Sequence, residues 1–247
     1  MLTFRADLHL HTLLSACAEV EMIPPLIVDE ALRKGLDVIA VTDHNATGNA
    51  EAVMKAAEGT GLTVLPGMEL QTREEVELLC IFDSMEQAEA WQAKVDSWLP
   101  SIKNDAERFG PQFVVDAEGD FVREDPRMLQ APALVALEEA ARAARELDGL
   151  VIPAHIDRQA KGLIPVLGFW PPDLEVDAAE VSYNIRPSQA RKRYPSVPEI
   201  PLISSSDAHW LDWIGKVITV FELAAEPSIG ELRRAFQGLD DRRVYVP

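Results

Sequence analysis

Cysteine is almost absent from this chain: Cys17 and Cys80 are the two in 247 residues. Two cysteines at that spacing make neither a disulfide framework nor a cysteine-rich zinc module, and they read as reduced thiols of a cytoplasmic protein. Histidine is scarce too, with five in all. No run of 18 apolar residues occurs and the first residues carry no basic-then-apolar leader, so the expectation is a soluble protein with no membrane partner. Positive charge is in deficit, with 23 basic residues against 41 acidic ones and a formal net charge of −18. Such a field repels phosphate chains at long range, which predicts no duplex nucleic acid as partner and a small anionic substrate held by local cations.

What is present is organised around the five histidines. His9 and His11 sit two apart in Ala6-Asp-Leu-His-Leu-His-Thr12. In a strand they face the same way and can share a metal ion, with Leu8 and Leu10 on the opposite face. The other three lie in Val41-Thr-Asp-His-Asn45, Pro153-Ala-His-Ile-Asp-Arg158 and Ser204-Ser-Ser-Asp-Ala-His209. None is left for a surface role.

The segments around them alternate between strand and helix. Residues 3–9 read as a strand; Pro24 and Pro25 suit the first turn of a helix that ends at Gly35. Asp37–Thr42 is a β-branched run expected to be buried on both faces. A helix follows over Asn49–Glu58, then a strand at Thr63–Leu65 delivering Glu69, and another at Glu77–Phe82. Ser84 with Gln87 predicts a capping box opening a helix to about Leu99. Residues 100–130, with prolines 100, 111 and 126 and a possible hairpin at Glu118-Gly119, break the rhythm and read as a lid or insertion. It resumes with a helix over Ala133–Leu147, strands at Leu150–Ala154, Ala179–Ser182 and Leu202–Ser205, and Val217–Phe221, Ile229–Phe236 and Val244–Val246 after them. This rhythm predicts an α/β fold with a parallel sheet, and 247 residues suit one domain.

In such folds the strand ends converge on one mouth, so the histidine segments can meet there together with Glu69 and Asp207. A histidine taken singly is as often a hydrogen-bonded side chain as a ligand. Five imidazoles and two carboxylates at strand ends exceed what one tetrahedral ion needs, and point to two or three divalent ions. Nitrogen and oxygen donors favour Zn, Mn or Fe over Ca or Mg, and adjacent ions lower the pKa of a water from ~16 to roughly 7 for hydrolysis.

Asp7-Leu-His-Leu-His-Thr12, Thr42-Asp-His-Asn45, Gly67-Met-Glu69, Ala154-His155 and Ser206-Asp-Ala-His209, in that order, resemble the motifs of the polymerase-and-histidinol-phosphatase (PHP) family of metal-dependent phosphoesterases, from residue 3 to about 222. The resemblance implies a distorted (β/α)7 TIM-like barrel as a single PHP domain over 1–247, with 100–130 as insertion. It also implies a di- or trinuclear centre whose metal-bound hydroxide attacks a small phosphomonoester or nucleotide. Carried over by position, His9, His11, Glu69 and Asp207 would hold the first ion; Glu69 would bridge to a second, also bound by His155; and His44 and His209 would hold the third. Asp7 and Asp43 would orient histidines from behind.

Two departures mark this sequence. Glu77 stands where family members commonly have a histidine, and the loop after His11 reads Ser15-Ala-Cys-Ala-Glu19, leaving Cys17, Glu19 or Glu21 as replacement ligands. Arg158 is the leading phosphate ligand, acting in catalysis beside Asp207 and His209; Arg186 is a second substrate contact, with Arg191–Arg193, Lys103 and Arg108 behind it. Trp210 and Trp213 read as packing beside His209, or as a platform for a nucleobase. Nuclease or phosphodiesterase action and amide hydrolysis remain open on the same centre. So does a metal-stabilised ligand-binding module with little catalysis.

Overall fold

The alternating residues at the start of the chain form a nine-residue strand, β1 (Leu2–Leu10), in the computed structural model, which describes residues 1–247. Two prolines open α1 (Pro24–Arg33), where a missing backbone N–H costs nothing, and Pro24, Ile27, Val28 and Ala31 are its buried face. β2 (Val38–Val41) is wholly buried, as its β-branched composition predicts. α2 (Ala50–Ala56), β3 (Thr63–Gln71) and β4 (Glu77–Ile81) follow. α3 (Met85–Trp98) carries the predicted box: Ser84 Oγ accepts from the Gln87 amide and the Gln87 side chain returns to the Ser84 amide.

The 100–130 segment holds one short turn of helix, α4 (Ala106–Phe109), and the hairpin expected around Gly119, built from β5 (Phe113–Val115) and β6 (Phe121–Glu124). Beyond it come α5 (Leu137–Arg145), β7 (Leu150–Pro153), α6 (Leu163–Leu167), β8 (Ala179–Glu180) and α7 (Pro187–Arg193). The chain ends with β9 (Leu202–Ile203), β10 (Thr219–Leu223), α8 (Ile229–Phe236) and β11 (Arg243–Tyr245).

The result is an α/β fold whose curled seven-stranded sheet runs β11-β10-β1-β2-β3-β4-β7. β8 and β9 pair in parallel beside it. Ile156 N donates to Glu180 O at 2.8 Å, tying the end of β7 to β8, while His11 N donates to Ala208 O at 3.0 Å, tying the segment after β9 back to β1. Ala6, Leu8, Ala40, Leu79, Ile152, Ile203 and Phe221 pack together inside the curl.

Three expectations need correcting. The rhythm is not uniformly parallel: β4 runs antiparallel to both β3 and β7. Only five residues separate Gln71 from Glu77, far short of the dozen or so that a parallel crossover needs. Next, α5 starts at Leu137 rather than Ala133, because the preceding residues are drawn along the end of β3, with Ala133 N donating to Gln71 O and Arg73 N to Val135 O. Finally, Leu8 and Leu10 do not share one face. A register shift between Asp7 and Leu10 in the β1–β2 pairing sends Leu8 into the interior cluster and Leu10 into another, against α1 residues.

Candidate metal centre

His9, near the end of β1, and His11, just past it, have Nε2 atoms 3.2 Å apart. The partners of their other nitrogens fix what those atoms can be. His9 Nδ1 lies 3.1 Å from Glu180 Oε1, an acceptor, so it carries the proton. His11 Nδ1 lies 3.1 Å from Ser15 Oγ, whose own hydrogen is donated to Asp43 Oδ1 at 2.7 Å, so that nitrogen too is the donor. Both Nε2 lone pairs therefore point at each other and at carboxylates. Glu69 Oε1 is 3.2 Å from His9 Nε2, and Asp207 Oδ1 is 3.2 Å from His11 Nε2. A cluster of lone pairs this close requires positive charge among them, from protons or metal.

Glu69 is the hub. Two residues before the end of β3 and only 1% exposed, it reaches His44 Nδ1 through Oε2 at 3.0 Å and His155 Nε2 through Oε1 at 3.0 Å. Glu77 lies 3.2 Å from His155 Nε2 and 3.6 Å from His44 Nδ1. Glu77 opens its strand instead of closing it, and it reaches the mouth because β4 is reversed: it pairs with Gln71 at the far end of β3. His209 stacks near His11 with ring centroids 4.1 Å apart. Three donor groups result, each with ligand atoms within 4.8 Å of one another: His9, His11, Glu69 and Asp207; His44, Glu69 and Glu77; and His11, His44 and His209.

The backbone bends to aim these side chains. Asn45, His155 and Asp207 have positive φ of 50°, 28° and 52°, a region that non-glycine residues enter mainly where tertiary contacts hold them, and often at functional sites. Burial opposes charge throughout, but the neighbours override it. Glu69 and Glu77 push His155 up to about 9, and Glu69, Glu180 and Asp207 hold His9 well above the ordinary histidine value. His9 and His44 in turn hold the Glu69 carboxyl well below its usual range. Two buried atoms here have no hydrogen-bond partner, Glu69 Oε2 and His155 Nδ1. An anionic oxygen left bare among imidazole nitrogens fits a bound cation, and the donor set of nitrogen and carboxylate oxygen suits divalent transition metals.

The remaining expected residues are placed as follows. Asp43 accepts from the Thr12 amide, Thr12 Oγ1 and Ser15 Oγ, so it reaches His11 through Ser15. Asp7 differs from the expectation that it orients a histidine: it accepts from the amides of Ser206 and Gly215, each at 2.9 Å, and so fixes the turn that carries Asp207. Arg158 Nη1 donates to Asp207 Oδ2 at 2.5 Å, and Cys17 is exposed on the loop after β1. Arg186 is exposed and lines a separate cavity of about 430 Å³ with Tyr183, Asn184 and Lys216. In the insertion, Arg108 lies over its neighbour Phe109 and Lys103 bridges to Arg127.

Two residues escaped the sequence reading. Glu180 accepts from His9 Nδ1 and from the His155 amide at 3.0 Å, and Lys161 donates to Glu77 at 2.5 Å. A lone acid in the apolar run Ala178–Val181 was the signal for the first; nothing local distinguished Lys161.

A family model described as the PHP domain matches residues 7–159, more than half of the chain. An uncharacterized protein of Methanocaldococcus jannaschii is 32% identical over 78 residues, covering 28% of this chain and 46% of that protein. The lesion-specific endonuclease PfuEndoQ from Pyrococcus furiosus is similar in structure, with a TM-score of 0.73 at 23% identity over 98% of this chain and 58% of its own. Endonuclease Q in complex with a 27-mer duplex, with an abasic lesion at the active site, gives 0.71 at 22% with the same coverage. The chain thus spans under two thirds of the length of these relatives.

These likenesses overturn the expectation that an acidic chain takes no duplex nucleic acid. A protein of this fold is seen with duplex DNA at its active site. Net charge is a property of the whole surface, whereas binding is decided by local cations, and Arg158 and Lys161 stand at this mouth. No helix is long and apolar enough to cross a membrane. With the family match running from Asp7 past His155, through the strand ends that carry most of the buried imidazoles and acids, the chain belongs to the PHP domain family, whose members are metal-dependent hydrolases with multinuclear centres.

Proposed function

We propose that this chain hydrolyses a phosphoester bond of a small phosphorylated molecule. The observation that carries the reading is the meeting of two of the three donor groups on Glu69, which places cation sites side by side at one mouth. His9, His11, Glu69 and Asp207 would hold one ion, Glu69, Glu77 and His155 a second, and His44 and His209, with His11 beside them, a third. Zn, Mn and Fe suit these donors. When bound, such ions activate water and draw charge from phosphoryl oxygens.

The chain's own groups supply the rest. Glu180 and Ser15 fix the tautomers of His9 and His11, so that both present bare Nε2 atoms inward. Arg158, with 42% of its side chain exposed, extends from Asp207 to where a phosphoryl group would sit, and a guanidinium can bind two of its oxygens. The same reading treats the β8–β9 pair as completing a distorted (β/α)7 barrel in one domain.

A second reading, phosphodiester cleavage in nucleic acid, is favoured by one feature. Tyr183, Trp210 and Trp213 form an edge-to-face cluster beside His209, with Lys216 Nζ 3.4 Å from the Trp213 ring, the kind of aromatic and cationic surface on which bases stack. Zinc- or manganese-loaded protein is expected to hydrolyse a generic aryl phosphate, with the double change His9→Ala and Asp207→Ala abolishing turnover. Full activity in that double variant would refute the mechanism. Cleavage of a duplex oligonucleotide carrying an abasic site, with no turnover of the monoester, would decide for the second reading.

A further inference from the structure

The three carboxylates of the donor groups are balanced differently. Glu69 is paired with imidazoles alone. Asp207 has Arg158 in addition, on Oδ2, which leaves Oδ1 to His9, His11 and His209. Glu77 has Lys161, whose Nζ lies 2.5 Å from Oε1, the oxygen that also faces His44 Nδ1 at 3.6 Å. The lysine therefore stands on a side of its carboxylate that looks into the centre, as the arginine does not. Glu77 is buried, whereas 33% of the Lys161 side chain is open to solvent.

The backbone builds this pairing in. Lys161 leaves the same tight turn that carries His155 and Arg158: Arg158 N donates to His155 O at 2.9 Å, and a Cβ on Gly162 would stand 2.3 Å from Arg158 O. Asp157 clamps the turn to the residues after β8, accepting from Ser182 N and Ser182 Oγ, each at 2.7 Å. Lys161 itself has a φ of 66°, a left-handed conformation that such a residue keeps only where its surroundings hold it, and its carbonyl accepts from the Glu77 amide at 3.0 Å. Lysine and acid are thus bonded backbone to backbone, and the ammonium moves only on its own stem. A divalent ion drawn to Glu69, Glu77 and His155 meets an acid already neutralised, and a cation on the same carboxylate repels it.

We propose that Lys161 is a tethered competitor for the second ion: its ammonium balances Glu77 while that site is empty, leaves Oε1 when the ion takes the carboxylate, and so sets the free-metal level at which the site fills. The inference rests on the multinuclear centre proposed above.

Two measurements on the full chain test it. In the first, chelator-stripped protein is dialysed against buffered free zinc and the bound metal is counted by elemental analysis. Lys161→Met keeps the stem and removes the charge. The filling step that Glu77→Gln abolishes is expected to move, in Lys161→Met, to at least about tenfold lower free zinc, the scale on which groups behind a ligand tune affinity. Lys161→Arg restores the wild-type level. Loss of a merely structural contact would weaken that step instead of tightening it. In the second, acylation of the wild type by an N-hydroxysuccinimide ester, followed by peptide mass spectrometry, reads the amine itself, with Lys55 on α2 as the internal reference. Lys161 is expected to label faster in zinc-saturated than in stripped protein. Unchanged or weaker zinc binding in Lys161→Met, a Glu77→Gln protein that keeps every filling step, or equal labelling with and without zinc overturns the proposal and leaves the centre standing. A chain that binds no zinc overturns both.

Discussion

Glu180 holds His9 from behind: Oε1 and Oε2 lie 3.1 and 3.3 Å from His9 Nδ1, and Oε1 also accepts from the His155 amide at 3.0 Å. One buried carboxylate thus sets the tautomer of one histidine and anchors the backbone of another, although 171 residues separate it from His9. Glu180→Gln keeps an oxygen for the His155 amide but loses the charge that makes His9 a better donor. Metal affinity is expected to fall about 10- to 100-fold with the circular dichroism spectrum unchanged, as is usual for partners behind a ligand. Chelator competition measures this, and an unaltered affinity removes Glu180 from the centre.

Arg158 has two possible duties, binding phosphate or only balancing the charge of Asp207, and they separate cleanly. If it binds substrate, Arg158→Ala lowers kcat/KM toward an aryl phosphate roughly 10- to 100-fold, from the ~1.5–3 kcal/mol of a charge-assisted hydrogen bond. Metal affinity then stays level. Arg158→Lys recovers only part, because an ammonium cannot fork across two oxygens. Tighter metal binding in Arg158→Ala with kcat/KM unchanged would show that the arginine serves Asp207 alone.

The histidine-bearing strand ends were legible because their signal is local: a buried apolar run leading into imidazole at His44 and His155, and an alternating strand closing on His9 and His11. The capping box at Ser84 was legible for the same reason. The direction of β4 was not, since hydrophobic runs carry no polarity; the five-residue link from Gln71 to Glu77 was the one available clue, and it explains why Glu77 faces the centre from the start of its strand. Glu180 was hidden because its partners come from β1 and β7, and no spacing within its own segment announces them. The charge argument against duplex nucleic acid failed on scale: −18 summed over the molecule says little about a mouth where Arg158 and Lys161 each pair with a site carboxylate.

Gly149 is a packing position. A Cβ there would stand 2.5 Å from Phe82 Cε1 and 2.9 Å from Ala144 O, and Phe82 is fully buried between β4 and α3, with its ring near Trp91. Phe82 cannot swing to solvent, so Gly149→Ala forces α5 and β7 apart. The expected cost is about 1–3 kcal/mol, read as a melting shift of roughly 2–4 °C per kcal/mol for a chain of this size. The number of zinc ions bound per chain should not change. An unshifted melt would mean that the junction relaxes freely.

The pH dependence of stability has a handle far from the centre. Glu231 on α8 pairs with Arg242 at 2.8 Å and accepts from the amides of Ala224 and Ala225; the Arg242 guanidinium, against the smaller opposing effect of burial, holds its carboxyl down at about 2. A carboxyl depressed in the folded state stabilises the fold above its unfolded value of about 4.5 and loses that contribution as pH falls through about 2. Glu231→Gln removes the charge and with it this dependence. The melting temperatures of wild type and variant are therefore expected to differ by a constant amount from pH 7 down to about 5, and to converge progressively below 4.5. Calorimetric melts of metal-stripped protein at pH 7, 5, 4 and 3 check this without interference from the histidines' ions. A gap that persists undiminished at pH 3 would show that the side chain's packing, and not its ionisation, ties α8 to the C-terminal strand.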